Sequence, residues 1–110
     1  MHPSPPPSVA AAAVPDDAFV LDVREVVEWD AGHVAGARHI PMNTLIERIG
    51  EVPHDTRVYV MCRVGGRSAQ VTHYLTQQGW DAVNVDGGML AWDAAGRPMV
   101  SEGGNAPAVV

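Results

Sequence analysis

The chain has 110 residues, 46% of them hydrophobic, which suits the core of one globular domain and excludes a wholly disordered chain. Seven basic against thirteen acidic side chains give a net charge of -6, which disfavours broad attraction to nucleic acid or an anionic membrane, so any anion site must be local. One cysteine excludes an internal disulfide and, without thiol neighbours, the usual structural zinc site. The lone thiol favours a reducing compartment. No apolar stretch approaches the roughly 18 residues of a membrane span, and no Lys or Arg precedes the longest one, VAAAAVP, so cytoplasmic residence is the expectation.

Residues 1–15, MHPSPPPSVAAAAVP, hold five of the nine prolines and no charged side chain, the composition of a flexible, extended lead-in, with a short helix over the alanines as the alternative. FVLDV (19–23) then reads as a buried strand and REVVEWDAG (24–32) as a short helix stopped at Gly32. ARHIP (37–41) is a weaker strand closed by its proline, and MNTLIERIGEV (42–52) reads as a helix with Leu45, Ile46 and Ile49 on one face. RVYVMC (57–62) is a second strong strand. SAQVTHYLTQQG (68–79) is the clearest helix, with Ser68 at the N-cap, Val71, Tyr74 and Leu75 at i, i+3, i+4, and Gly79 at its end. DAVNV (81–85) repeats the strand pattern, and SEGGNAPAVV (101–110) lacks anchoring features and is expected to fray, leaving 16–100 as the packed domain. Strands alternating with helices imply an α/β fold with a mostly parallel sheet covered on both faces.

The only cysteine, Cys62, stands where the second strong strand ends and a short loop, RVGGRS, turns onto the clearest helix. Gly65 and Gly66 permit backbone dihedrals that let successive N–H groups converge, the helix dipole adds partial positive charge, and Arg63 and Arg67 add full charges. Such a loop is an anion cradle. A free thiol has a pKa of about 8.5, which helix N-termini and neighbouring arginines lower, so Cys62 reads as a nucleophile rather than an inert buried residue. GGRS lacks the lysine of a phosphate-binding P-loop, which argues against a nucleotide site. Ser68 reads as a helix cap rather than as a nucleophile.

LDVREVVEWDAGHVAGARHIP, VYVMCRVGGRSAQVTHYLTQQGW and VNVDGGMLAWDAAGRP, in that order between about residues 16 and 98, resemble the rhodanese domain, a sulfurtransferase fold. The resemblance implies a central parallel sheet flanked by helices on both faces, with Cys62 carrying a persulfide taken from a donor such as thiosulfate and passed to cyanide or a thiol, a protein thiol included. It implies no metal and no organic cofactor. Arg63, Val64, Gly65, Gly66, Arg67 and Ser68 would bind the donor and stabilise the persulfide. Phosphatases and arsenate reductases of the same fold carry five residues between cysteine and arginine; here four lie between Cys62 and Arg67, which favours sulfur over a tetrahedral oxyanion. Two arginines in the loop suit a dianion such as thiosulfate. A sulfur-carrier or binding module of the same fold is the alternative.

Asp22 and Arg24 match the family's DVR strand end, where they either brace the active loop or form a structural ion pair. His33 lies in GHVAGA, similar to the family's GHIPGA except that Ala35 replaces a proline; a packing role is expected, since no metal-ligand partner is spaced nearby. In DGGMLAWDAAG, Gly87 and Gly88 are expected to turn near the active loop and Trp92 to pack on the core.

Overall fold

Five strands, β1 (Ser8–Ala10), β2 (Phe19–Asp22), β3 (Arg38–His39), β4 (Val58–Met61) and β5 (Ala82–Asp86), form one parallel sheet in the computed structural model, which describes residues 5–110. Their order is β1-β5-β4-β2-β3. Parallel neighbours need crossovers, supplied by α1 (Val26–Ala31), α2 (Gly66–Gln77) and short 3-10 turns, while α3 (Gly88–Ala94) follows the last strand and packs back on the sheet. The central strands are covered on both faces, which is why they read as nearly continuous apolar runs.

The two faces hold separate cores. Leu21, Val58, Val60 and Ala82 pack under Val71 and Leu75 of α2 and under Leu45 and Val52 of the β3–β4 connection. On the other face Val20, Met61 and Val85 meet Met89 and Trp92 of α3 together with Ala11 and Val14. Trp92 packs as expected, 3% exposed, with its indole N–H donated to the Pro98 carbonyl and Arg97 stacked over its ring. Among the described residues no helix is long and apolar enough to cross a membrane.

Three expectations are corrected. Within the proline-rich start, residues 8–10 form the edge strand β1, and Ala11–Ala13 make a 3-10 turn, nearer the short-helix alternative than a flexible lead-in. Prolines hold the chain extended, as an edge strand requires; the Pro7 carbonyl accepts from the Asn84 N–H at 2.8 Å, and the small alanines fit beneath α3. Residues 1–4 of that expectation lie outside the described part. The helix expected over 42–52 is replaced by 3-10 turns at Met42–Thr44 and Ile49–Glu51, because the segment, bracketed by Pro41 and Pro53 and interrupted by Gly50, gains more by turning Leu45 and Val52 into the core than by a helical stripe; Ile46 is left 63% exposed.

The C-terminal segment does not fray. Val100 exchanges backbone hydrogen bonds with His33 at 2.8 and 2.9 Å, and the N–H groups of Glu102 and Ala108 donate to the carbonyls of Asp30 and Ala31 at the end of α1. Val109 then packs on the α3-side core. Sparse anchoring side chains misled the composition reading, because this segment is held by its backbone.

Candidate active site

β4 ends at Met61, and Cys62 is the first residue beyond the sheet, so its side chain is fixed by the strand while its neighbours are free to turn. The turn closes at Gly65, whose φ of +106° lies in the region that side-chain-bearing residues avoid, and α2 begins at Gly66. The helix thus starts two residues before the expected Ser68 cap. Ser68 is instead fully buried in the first turn, and its hydroxyl donates inward to Cys62 Sγ at 3.2 Å. The Gly65 N–H donates to the same sulfur at 3.0 Å. Gly65 at the N-cap has no capping side chain, and the early start of α2 puts Ser68 in its first turn with the hydroxyl aimed at the sulfur.

A second turn supports the loop from below. Met89 N donates to the Cys62 carbonyl at 2.9 Å and Leu90 N to the Arg63 carbonyl at 3.0 Å. Gly88, with φ +57°, lets α3 approach this closely: a Cβ there would sit 2.6 Å from the Arg63 carbonyl oxygen. The expectation that Gly87 and Gly88 turn beside the loop is met in this geometry.

The two loop arginines have separate partners. Arg67 forms a two-pronged pair with Glu28 of α1, Nη1–Oε1 2.7 Å and Nη2–Oε2 2.8 Å, while Arg63 Nε donates to the Val110 carbonyl at 3.0 Å. The side-chain hydrogen bond from Arg67 holds the Glu28 carboxyl below the usual carboxylate range, against the opposing effect of burial, and Glu28 in turn raises Arg67. Arg67 also feels the charge of Cys62.

Among the described residues the side chains of Asp22 and Arg24 hydrogen-bond to no loop residue. They form a buried pair, Arg24 Nε–Asp22 Oδ1 2.9 Å and Nη2–Oδ2 2.8 Å, and the same guanidinium donates to the carbonyls of Gly32 at 2.8 Å and Glu28 at 3.3 Å. The pair therefore fixes α1, and α1 carries the carboxylate that holds Arg67. His33 packs, stacked on Trp29 with ring centroids 3.5 Å apart and its Nδ1 2.8 Å from the Trp29 carbonyl.

Two residues of the site were missed from sequence. Glu28 sits one helical turn after Arg24, and the available signal was that Arg67 needed an acidic partner. Asn84 donates from Nδ2 to the Gly65 carbonyl at 3.2 Å; its signal was a lone amide inside an apolar strand. A cavity of about 420 Å³ lies on the α3 face beside Val20, Val34, Trp92 and Arg97 and is lined by none of the loop residues, so chemistry rather than volume locates the site.

Cys62 is only 1% exposed, and burial pushes its thiol up; the Ser68 hydroxyl and then the N–H groups of Ser68, Gly65 and Val64 outweigh that, leaving the thiol below its ordinary value. Thiolate absorbance, read against a Cys62→Ser blank, should therefore appear at lower pH in the native protein than in the urea-unfolded chain, and Ser68→Ala should move the native midpoint upward. A native midpoint at or above the unfolded one would contradict this account of the cradle.

The site is a cysteine at the C-terminal end of a central parallel strand, its sulfur accepting from a loop N–H and a hydroxyl at the start of a helix, an arrangement suited to a thiolate. Residues 7–95 match the rhodanese-like domain. Over 90 residues the chain is 38% identical to a sulfurtransferase of Allochromatium vinosum, covering 81% of this chain and 84% of that one. It superposes on a rhodanese-related protein of Thermoplasma volcanium with a TM-score of 0.83 at 35% identity, covering 87% and 99% of the two chains. With a thiosulfate sulfurtransferase of Pseudomonas aeruginosa the TM-score is 0.76 at 28% identity, over 93% of this chain and 21% of that one. The chain belongs to the rhodanese-like domain family, whose relatives here include named sulfurtransferases.

Proposed function

We propose that the protein is a sulfurtransferase that carries a sulfane sulfur from thiosulfate, or a donor like it, on Cys62 to a thiophilic acceptor such as cyanide or a thiol. The observation that carries this reading is the convergence of the Gly65 N–H and the Ser68 hydroxyl on the sole thiol of the chain, at 3.0 and 3.2 Å. The thiolate attacks the outer sulfur of thiosulfate, a new S–S bond forms as the S–S bond of the donor breaks, and sulfite leaves with the bonding pair. The product Cys62–S–S⁻ keeps one negative charge close to the same donors and to the start of α2, so the cradle that favours the thiolate also favours the persulfide. The acceptor then attacks the terminal sulfur and returns Cys62 as thiolate. No step requires a metal or an organic cofactor.

Arg63, whose side-chain hydrogen bond among the described residues goes to the backbone oxygen of Val110, is the loop cation that would turn to the donor on exchanging that contact; Arg67, paired with Glu28, sets the loop's shape. The name of the Pseudomonas aeruginosa neighbour agrees with thiosulfate as donor. Four residues between Cys62 and Arg67 give a small ring of donors, suited to one terminal sulfur rather than to a phosphoryl group. A reducing cytoplasm would keep the single thiol available between turnovers.

The test is intact mass after incubation with thiosulfate, followed by cyanide. One sulfur should be added to Cys62 and then released as thiocyanate over many cycles. Loading without repeated turnover would identify a carrier instead, and no added sulfur would overturn both readings.

A further inference from the structure

Resting on the sulfur-transfer reading only for its activity arm, we propose that Asn84 is a positioning residue of this site: its side-chain amide, rising from β5, holds Gly65 where the Gly65 N–H meets the Cys62 sulfur.

Asn84 pairs in register with Val60 on the face that carries Val58, Val60, Cys62 and Ala82, so it is a polar side chain in an otherwise apolar layer beneath α2. It is 5% exposed, and its Oδ1 is the only buried side-chain nitrogen or oxygen among the described residues without a hydrogen-bond partner. An apolar side chain at this register would avoid that desolvated oxygen. What the amide supplies is one donor, to the Gly65 carbonyl at 3.2 Å, which also accepts the first helical bond of α2 from Ala69 at 3.1 Å. Turning the amide over would set oxygen against oxygen, so this single bond fixes its orientation.

Gly65 has no side chain with which to anchor itself. Its N–H is spent on Cys62 Sγ, its φ of +106° is accessible only because it is glycine, and its Cα lies against β5, where a Cβ would stand 3.7 Å from Asn84 Nδ2 and 3.3 Å from Gly87 N. Asn84 is the side-chain tether at the carbonyl end of this residue. Without it the peptide flanking the sulfur donor can rotate, and the cradle loses geometry rather than charge.

The experiment uses Asn84→Leu, which keeps the shape of asparagine and removes both the donor and the orphan oxygen. The expected result is a urea-unfolding midpoint at or above wild type, a higher pH for half-formation of the Cys62 thiolate, and sulfur loading from thiosulfate slowed by about five- to tenfold, the scale of one hydrogen bond. In the wild type, the Asn84 side-chain amide resonances should shift with the same midpoint as the thiolate, a readout that survives if the leucine variant fails to fold. A folded Asn84→Leu with an unchanged thiolate midpoint, or amide resonances indifferent to Cys62 ionisation, overturns the proposal. Failure of the wild type to load sulfur at all would count against the sulfur-transfer reading and leave both of these readouts standing as the test of Asn84.

Discussion

Cys62→Ser should remove thiosulfate-dependent sulfur loading altogether while leaving the fold in place. The substitution changes one atom at a position 1% exposed, and the smaller oxygen can still accept from the Gly65 N–H and the Ser68 hydroxyl, so the loss of stability should stay near the ~1 kcal/mol typical of point changes. Chemistry does not survive the exchange. An alcohol is not ionised by a cradle that shifts a thiol below its ordinary pKa, and it forms no persulfide. Since the chain has no other cysteine, no second thiol can substitute. The measurement is intact mass with and without thiosulfate, alongside a urea-unfolding curve. A folded serine variant that still acquires sulfur would show that Cys62 is not the acceptor.

The sequence was most legible where side-chain chemistry and backbone period coincide. FVLDV, RVYVMC and DAVNV read as buried strands, because β-branched runs of that length fit a sheet covered on both faces, and of the two glycines after Cys62 one, Gly65, makes the turn while Gly66 opens α2. It was least legible where the backbone alone does the work. Residues 8–10 join the sheet, and 100–110 return along α1, through N–H and C=O groups that every residue has, so proline and alanine content said nothing of their partners.

The site divides in the same way. Local motif pointed to Cys62, Gly65 and Gly88, since each answers to a strand end or a turn nearby in the chain. The partners of the arginines did not follow from motif: Arg67 finds Glu28 thirty-nine positions away, and the early start of α2 puts Ser68 in its first turn with the hydroxyl aimed at the buried sulfur. Asn84 was hidden by its setting, one amide in a strand whose other residues are apolar.

Arg24→Met should destabilise the domain by about 3–5 kcal/mol, because it strands the Asp22 carboxylate, 1% exposed, without its partner. The same change frees the Gly32 and Glu28 carbonyls at the end of α1, which now have only each other's neighbourhood and the C-terminal segment to hold them. For a domain of this size the loss corresponds to a fall in melting temperature of roughly 4 °C per kcal/mol. Arg57→Met is the control: Arg57 and Asp81 are both more than half exposed in their pair at 3.3 Å, and such a surface pair is worth at most about 1 kcal/mol. Replacing Asp22 by Asn in the Arg24→Met background removes the stranded charge and should recover part of the stability. Loosening α1 also loosens Glu28, so the Arg24 variant, assayed at a temperature where it is still folded, should load sulfur more slowly than the Arg57 variant. Equal melting temperatures for the Arg24 and Arg57 variants would show that the buried pair neither anchors α1 nor reaches the loop through it.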